Sequence, residues 1–168
     1  PMHPNTLISL LQDVQNGTIS VEKALAKLGS FPAELIPDAC LDHQRLLRTG
    51  IPEVIYGASK TSEQISAIAE AMLLQGGPVL ATRVDSEKAA KVMLKLPQFL
   101  YFADARMLVA NPTPADTANY RGQTLVITAG TSDMPVAEEA RLTLESLGHP
   151  VQKLYDAGVA GLHRLLGR

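Results

Sequence analysis

Hydrophobic residues in the first part of the chain recur at helical spacing. The apolar positions from Leu7 to Val14 fall on one face of a helix that Gly17 ends. A second helix is predicted over 21–28, because Ser20 is a favoured N-cap residue and a glycine follows the run. The pattern therefore predicts a helical start to the chain.

Prolines interrupt this pattern after the second helix. Pro32 and Pro37 predict a loop over 30–37, and the leucines over 41–48 predict a short third helix. We assign residues 1–50 to one helical N-terminal segment.

From Pro52 onward, short apolar runs alternate with longer amphipathic ones. Strands that alternate with helices of this length need crossover connections, which favour a largely parallel sheet covered by helices. The predicted fold class is therefore α/β. The predicted strands cover 53–56, 78–84, 99–102, 124–128 and 151–155, and the predicted helices cover 62–75, 86–94, 135–147 and 162–166.

Local signals refine these elements. Thr61 with Gln64 fits a capping box, in which each side chain satisfies a backbone donor at the helix start. Ser86 is the expected N-cap of the following helix. The apolar run over 78–84 is too continuous for a solvated face, and 124–128 is likewise predicted to be a buried strand.

The polar stretch over 111–120 carries two prolines and predicts a linker. It separates a small α/β domain over 51–110 from a second α/β region over 121–168. A doubly wound sheet has about five strands, whereas the last region supplies two. We therefore expect an incomplete sheet and a chain that is part of a longer protein.

Composition narrows the class of protein. With 46% hydrophobic and 19% charged residues, the chain is globular rather than disordered. A net charge of −2 leaves no basic excess for a phosphate backbone, so nucleic acid is not an expected partner. The lone Cys40 excludes an internal disulfide. No apolar run reaches membrane-spanning length, and we expect a cytoplasmic protein with no membrane partner.

The first candidate site is a turn between a strand and a helix, where open α/β sheets bind ligands. Backbone amides from Gly130 onward, with the hydroxyls of Thr131 and Ser132, suit a phosphate or a ribose. Asp133 would repel phosphate, but it could bind ribose hydroxyls or hold a proton. Simple helix capping explains the same residues equally well.

The second candidate site follows the next predicted strand, at the same edge of the sheet. Gly158 and Gly161 would let a ligand approach the backbone closely. His163 beside Arg164 offers a proton carrier next to a permanent cation. These residues also fit an ordinary surface helix, but two polar motifs at one edge favour a site.

Two further segments carry weaker signals. Lys60 belongs to a stretch that resembles the end of a P-loop but lacks the Gly-x-x-x-x-Gly-Lys spacing, so we reject that motif. We keep Lys60 as a candidate contact to a ligand phosphate across an interface. The cluster of Asp42, His43 and Arg45 is typical of a solvated face, and we predict no metal site.

Five stretches together resemble the LarB family of nickel-pincer nucleotide biosynthesis. The resemblance implies that the C-terminal part is similar to aminoimidazole ribonucleotide carboxylase, which has a flavodoxin-like sheet and forms homo-oligomers. By this resemblance the 130–133 turn binds nucleotide, Arg164 holds phosphate, and His163 and Asp133 serve catalysis near the reacting carbon. The stretches are 41–45, 50–57 with 60–61, 79–83, 127–140 and 156–166.

The resemblance also implies a reaction. Nicotinic acid adenine dinucleotide would be carboxylated at pyridinium C5 by carbon dioxide or bicarbonate and hydrolysed to AMP and pyridinium-3,5-biscarboxylic acid mononucleotide. No tightly bound cofactor is expected, and magnesium is a candidate aid to hydrolysis. The family's nucleophilic cysteine is expected beyond residue 168, and Cys40 does not match it. This chain alone is therefore expected to be inactive.

Two alternatives stay open. One is an aminoimidazole ribonucleotide carboxylase or mutase, although that family lacks an extension like the one through Thr61. The other is a nucleotide-binding or oligomerisation module without catalysis. Binding of the dinucleotide without turnover would support the non-catalytic module over the enzyme.

Overall fold

The computed structural model of the protein describes residues 4–29, 33–36, 39–42, 45–115 and 122–158, and it is α/β as expected. The helices are α1 (Pro4–Gln15), α2 (Val21–Gly29), α3 (Arg45–Thr49), α4 (Ser62–Leu74), α5 (Ser86–Lys95) and α6 (Met134–Ser146). The strands are β1 (Ala33–Ile36), β2 (Ala39–Asp42), β3 (Ile55–Tyr56), β4 (Val79–Thr82), β5 (Leu100–Phe102), β6 (Met107–Ala110), β7 (Thr124–Ile127) and β8 (Val151–Leu154).

The N-terminal segment is less helical than predicted. Helices α1 and α2 form and contact each other, and the N–H of Lys23 donates to Ser20 Oγ as expected of an N-cap. The predicted loop over 30–37 instead contains β1, which pairs antiparallel with β2. The helix predicted over 41–48 begins only at Arg45. Strands of four residues carry too short a pattern to be distinguished from a loop.

The sheet over β3 to β6 is mixed rather than largely parallel. Its order is β3-β4-β6-β5, with β3 parallel to β4 and with β6 antiparallel to both of its neighbours. Strand β6 was not predicted. It follows β5 after the turn 103–106, and so short a connection forces an antiparallel pair because parallel strands need a crossover.

Strand β4 is buried on both faces, as its apolar run predicted. Val79, Leu80 and Ala81 are at most 1% exposed. Side chains of α4 and α5 cover one face of the mixed sheet, and Leu142 of α6 packs with Leu80 on the opposite face. Helix α6 therefore belongs to the core of the mixed sheet as well as to its own βαβ unit.

Helix starts follow the sequence signals, with one correction. The capping box is confirmed: Gln64 N–H donates to Thr61 Oγ1 at 3.2 Å, and Thr61 N–H donates to Gln64 Oε1 at 3.1 Å. The N-cap of α5 is Asp85 rather than Ser86, since Lys88 N–H donates to Asp85 Oδ1 at 2.8 Å. A carboxylate makes the stronger, charge-assisted bond to a backbone donor.

Strands β7 and β8 form a parallel pair that α6 connects. The expectation that 124–128 is a buried strand is wrong for one face, because Leu125 is 49% and Ile127 56% exposed. Helix α6 contacts the pair, whereas these two side chains remain open to solvent. The predicted last helix over 162–166 lies outside the described residues.

Candidate functional site

The loops after β7 and β8 are tied together at one edge of the sheet. Asp156 N–H donates to Thr128 Oγ1 at 3.1 Å, and Ala157 N–H donates to the Thr128 carbonyl at 2.9 Å. Thr128 N–H in turn donates to the Leu154 carbonyl at 3.1 Å. The two predicted motifs therefore share an edge, because parallel strands bring their carboxyl ends together.

Gly158 lies close to the loop after β7. A Cβ at this position would come within 2.7 Å of the Ala129 carbonyl oxygen, so no other residue fits without a shift of backbone. Gly130 is different, since the nearest atom to a Cβ there is Ser132 Oγ at 3.9 Å. Of the two glycines that the structure describes in these loops, Gly158 is the one whose contacts require a glycine.

The turn after β7 is a single turn of 3₁₀ helix, Thr131–Asp133, that leads directly into α6. The Asp133 carboxylate accepts a hydrogen bond from the Gly130 N–H at 3.1 Å. Thr131, Ser132 and Asp133 are all exposed. Asp133 lies at the N-cap position of α6, but its carboxylate bonds the Gly130 N–H rather than a helix N–H, so it shapes the turn without the side-chain cap that the capping interpretation expected. The two hydroxyls beside it face solvent.

A group of charged side chains beneath this edge joins α6 to β8. The Arg141 guanidinium donates to Glu138 Oε2 at 2.6 Å and also bonds Glu145, and Lys153 Nζ lies 3.7 Å from Glu138 Oε1. These bonds from Arg141 hold the pKa of the Glu138 carboxyl below its ordinary value, while burial raises the pKa of the Tyr155 phenol. The spacings of Glu138 and Glu145 from Arg141 are visible in the sequence, whereas the approach of Lys153 to Glu138 is not.

The carboxyl ends of β3 and β4 form a second strand edge. Gly57 N–H donates to the Thr82 carbonyl at 2.8 Å, and a Cβ on Gly57 would come within 2.8 Å of Val84 Cγ2. The Lys88 ammonium donates to the carbonyls of Gly57 and Ala58, each at 3.3 Å. The loop directs these carbonyls at a cation and is not a phosphate-binding P-loop, in agreement with the rejection of that motif from the sequence.

Arg83 links the carboxyl end of β4 to helix α6. Its Nε lies 2.8 Å from Glu139 Oε2 on α6, and its Nη2 lies 3.4 Å from Glu139 Oε1. The backbone of Arg83 has φ +57°, which costs a non-glycine residue about 1 kcal/mol. An ion pair this exposed contributes only about 0–1 kcal/mol, so stability alone does not explain the arrangement. Asp156, after β8, has φ +58°.

The remaining predicted site residues fall into two groups. Gly161, His163 and Arg164 lie outside the described residues. Lys60 is half-buried in the loop after β3, and its N–H donates to the Gly57 carbonyl at 3.3 Å. It thus belongs to the edge of the mixed sheet rather than to the β7–β8 edge.

Other features of the described part of the chain lie away from these edges. A cavity of about 480 Å³ opens at the amino end of β4, where Gly76, Gly77 and Val79 line it. Within the described ranges, no His, Cys, Asp and Glu side chains gather in a group of three that could hold a metal ion. The same residues include no helix with the length and apolar character needed to cross a membrane.

The fold and its edges define the class of protein. A parallel βαβ unit with two loops tied at its carboxyl edge is typical of ligand-binding α/β domains. Residues 33–112 match the family model of the LarB/PurE-like N-terminal domain. Residues 33–112 therefore form a LarB/PurE-like N-terminal domain, which confirms the LarB resemblance drawn from the sequence.

A relative from Methanocaldococcus jannaschii matches almost the whole chain. The two sequences are 34% identical over 165 residues, which cover 95% of this chain and 64% of the relative. That relative bears the name "Uncharacterized protein MJ0165". The chain thus spans 64% of the length of the curated relative that it matches.

Proposed function

We propose that this chain is part of an enzyme that carboxylates nicotinic acid adenine dinucleotide at pyridinium C5 and releases AMP. The observation that carries the proposal is the close contact of Gly158 with the Ala129 carbonyl. This contact joins the loops that the LarB resemblance assigns to the nucleotide. The product would be pyridinium-3,5-biscarboxylic acid mononucleotide, the precursor of the nickel-pincer cofactor.

In this proposal the exposed turn after β7 binds the sugar–phosphate part of the dinucleotide. The hydroxyls of Thr131 and Ser132 can donate to phosphate oxygens or accept from ribose hydroxyls. The Asp133 carboxylate suits ribose hydroxyls and not phosphate, because like charges repel. Arg164 and Lys60 would supply cations for the phosphates, and His163 would lie near the reacting carbon.

The proposed chemistry follows from the electron-poor pyridinium ring, whose C5 does not attack carbon dioxide directly. A thiolate that adds to an adjacent ring position gives an enamine whose C5 is nucleophilic. Attack on carbon dioxide, loss of the C5 proton to a base such as His163 or Asp133, and expulsion of the thiolate restore the aromatic ring. Water then cleaves the phosphoanhydride and releases AMP, a step that magnesium could assist.

Turnover tests the proposal directly. We would incubate a longer form of the protein with nicotinic acid adenine dinucleotide and bicarbonate, and measure AMP and the mass of the pyridinium product. The proposal expects AMP together with a mass gain of one carboxyl group. AMP without the added carboxyl group would identify a hydrolase only, and the absence of both products would refute the assignment.

A matched pair of variants tests the turn. Ser132→Ala removes an exposed hydroxyl at the start of α6, and Ser86→Ala removes one at the start of α5. We expect Ser132→Ala to weaken dinucleotide binding by about fivefold to tenfold, since one hydrogen bond is lost, and Ser86→Ala to leave binding unchanged. Equal effects of the two variants would remove the turn from the site.

The non-catalytic module remains the second candidate. It is favoured by one observation: the Asp133 carboxylate already bonds the Gly130 N–H, a structural role that needs no catalysis. Dinucleotide binding by the longer form without turnover would support this candidate, and turnover would exclude it.

A further inference from the structure

Arg83 is a cation at a strand end and closes the stretch 79–83 that resembles the LarB family, but the sequence analysis assigns it no role. It follows the last residue of β4, and the register of β3 on β4 pairs Tyr56 with Thr82. The segment that carries Lys60 therefore leaves the sheet beside Arg83. Ligands of open α/β sheets bind outside such carboxyl ends.

The side chain of Arg83 is held close to the β7–β8 edge. Its partner Glu139 lies six residues after Asp133, which is about 9 Å along the helix axis. The Arg83 side chain is 42% exposed and that of Glu139 is 23% exposed, so an anion in solvent can reach the guanidinium. A guanidinium fork binds a phosphate as readily as a carboxylate.

The backbone of Arg83 supports a role beyond packing. A left-handed conformation is unusual for a side chain of this size, and such positions concentrate at ligand-binding sites. Asp156 takes the same conformation at the β7–β8 edge. Among the described non-glycine residues with positive φ, Arg83 and Asp156 follow strands at these two edges, whereas Arg106 and Asn111 flank β6.

We propose that Arg83 is a phosphate-binding residue of the dinucleotide site and that Glu139 holds its guanidinium in place until the phosphate arrives. The proposal rests on the proposed function for the identity of the ligand. In this arrangement Glu139 competes with the phosphate, because both anions bind the same fork. Loss of the Arg83 charge should therefore weaken phosphate binding, whereas loss of the Glu139 charge should not, although either change breaks the same ion pair.

The test compares the two partners by calorimetric titration of nicotinic acid adenine dinucleotide, and separately of AMP, into the full chain. Arg83→Gln is expected to weaken binding of both ligands by about tenfold or more, because a charged hydrogen-bond donor is lost. Glu139→Gln is expected to retain or tighten binding, since the guanidinium is released. Lys91→Gln and Glu87→Gln remove the same charges from an exposed pair on α5 and are expected to change neither affinity.

Two outcomes would overturn the role of Arg83. If Arg83→Gln and Glu139→Gln weaken binding equally, the ion pair is a structural link between the sheets. If Arg83→Gln leaves the affinity unchanged, or if the unmodified chain binds neither ligand, Arg83 is not a phosphate-binding residue. Failure of the proposed function is separate. If Arg83→Gln loses AMP binding and the longer form does not turn over the dinucleotide, the phosphate-binding role of Arg83 stands and the proposed carboxylase activity is rejected.

Discussion

At the scale of single residues, the two loops of the edge depend on one glycine. Gly158 meets the Ala129 carbonyl, whereas Gly130 has open space around its missing Cβ. Sequence alone gave both glycines equal weight, because the contact that distinguishes them joins residues 29 positions apart. The contrast provides a matched pair of substitutions.

We predict that Gly158→Ala lowers the free energy of unfolding by about 1–3 kcal/mol, because the new methyl group forces the two loops apart. Gly130→Ala is predicted to change it by less than about 0.5 kcal/mol, because the added methyl group would meet no close contact. Urea unfolding of both variants checks the prediction. If the two variants have equal free energies of unfolding, the close approach of Gly158 to the Ala129 carbonyl does not stabilise the fold.

At the scale of elements, α6 is the helix that both sheets share. Leu142 is 6% exposed and packs with Leu80 and Met107 of the mixed sheet, while Glu138 lies within ion-pair distance of Lys153 on β8. The helix thereby fixes the β7–β8 edge relative to Arg83. Its two faces lead to two different predictions.

The apolar face of α6 is tested by Leu142→Ala. We predict a loss of about 2–5 kcal/mol in unfolding free energy, the usual cost of a cavity at a buried leucine. Leu125→Ala removes the same atoms from a side chain that is 49% exposed and should cost less than about 1 kcal/mol. Thermal unfolding of both variants distinguishes them, and a similar loss in each would contradict the packing of α6 on the mixed sheet.

The charged face of α6 predicts a dependence of stability on pH. Bonds from Arg141 hold the pKa of Glu138 below its ordinary value of 4.5 in the folded protein. A lowered pKa contributes stability above pH 4.5 that is lost as the pH falls through the folded value. We expect Glu138→Gln to be less stable than the native chain at pH 7, with a difference that shrinks below pH 4.5.

Denaturant unfolding from pH 7 to pH 3 measures this dependence. Glu87→Gln, in an exposed pair on α5, is the control and should follow the native curve. A difference between the native chain and Glu138→Gln that stays constant over this range would show that ionisation of Glu138 does not stabilise the fold.

At the scale of the whole molecule, the sequence predicted the elements with strong local signals. The continuous apolar run of β4 and the capping box of α4 are confirmed. Strand β6 was missed because the turn before it, 103–106, has Asp104 as its single turn-favouring residue, and the left-handed position is taken by Arg106 at φ +51° rather than by a glycine. The candidate site depends on contacts between distant residues, such as Arg83 with Glu139, which no local pattern reveals.

The central claim is that the carboxyl edges of the strands bind the dinucleotide. The most direct test is to titrate nicotinic acid adenine dinucleotide into the ¹⁵N-labelled chain and follow the backbone amide signals by NMR. We expect the signals of Arg83, Ser132 and Gly158 to shift together with a single dissociation constant. Shifts confined to Gly76 and Gly77, which line the cavity at the opposite end of β4, or no shifts at all, would contradict it.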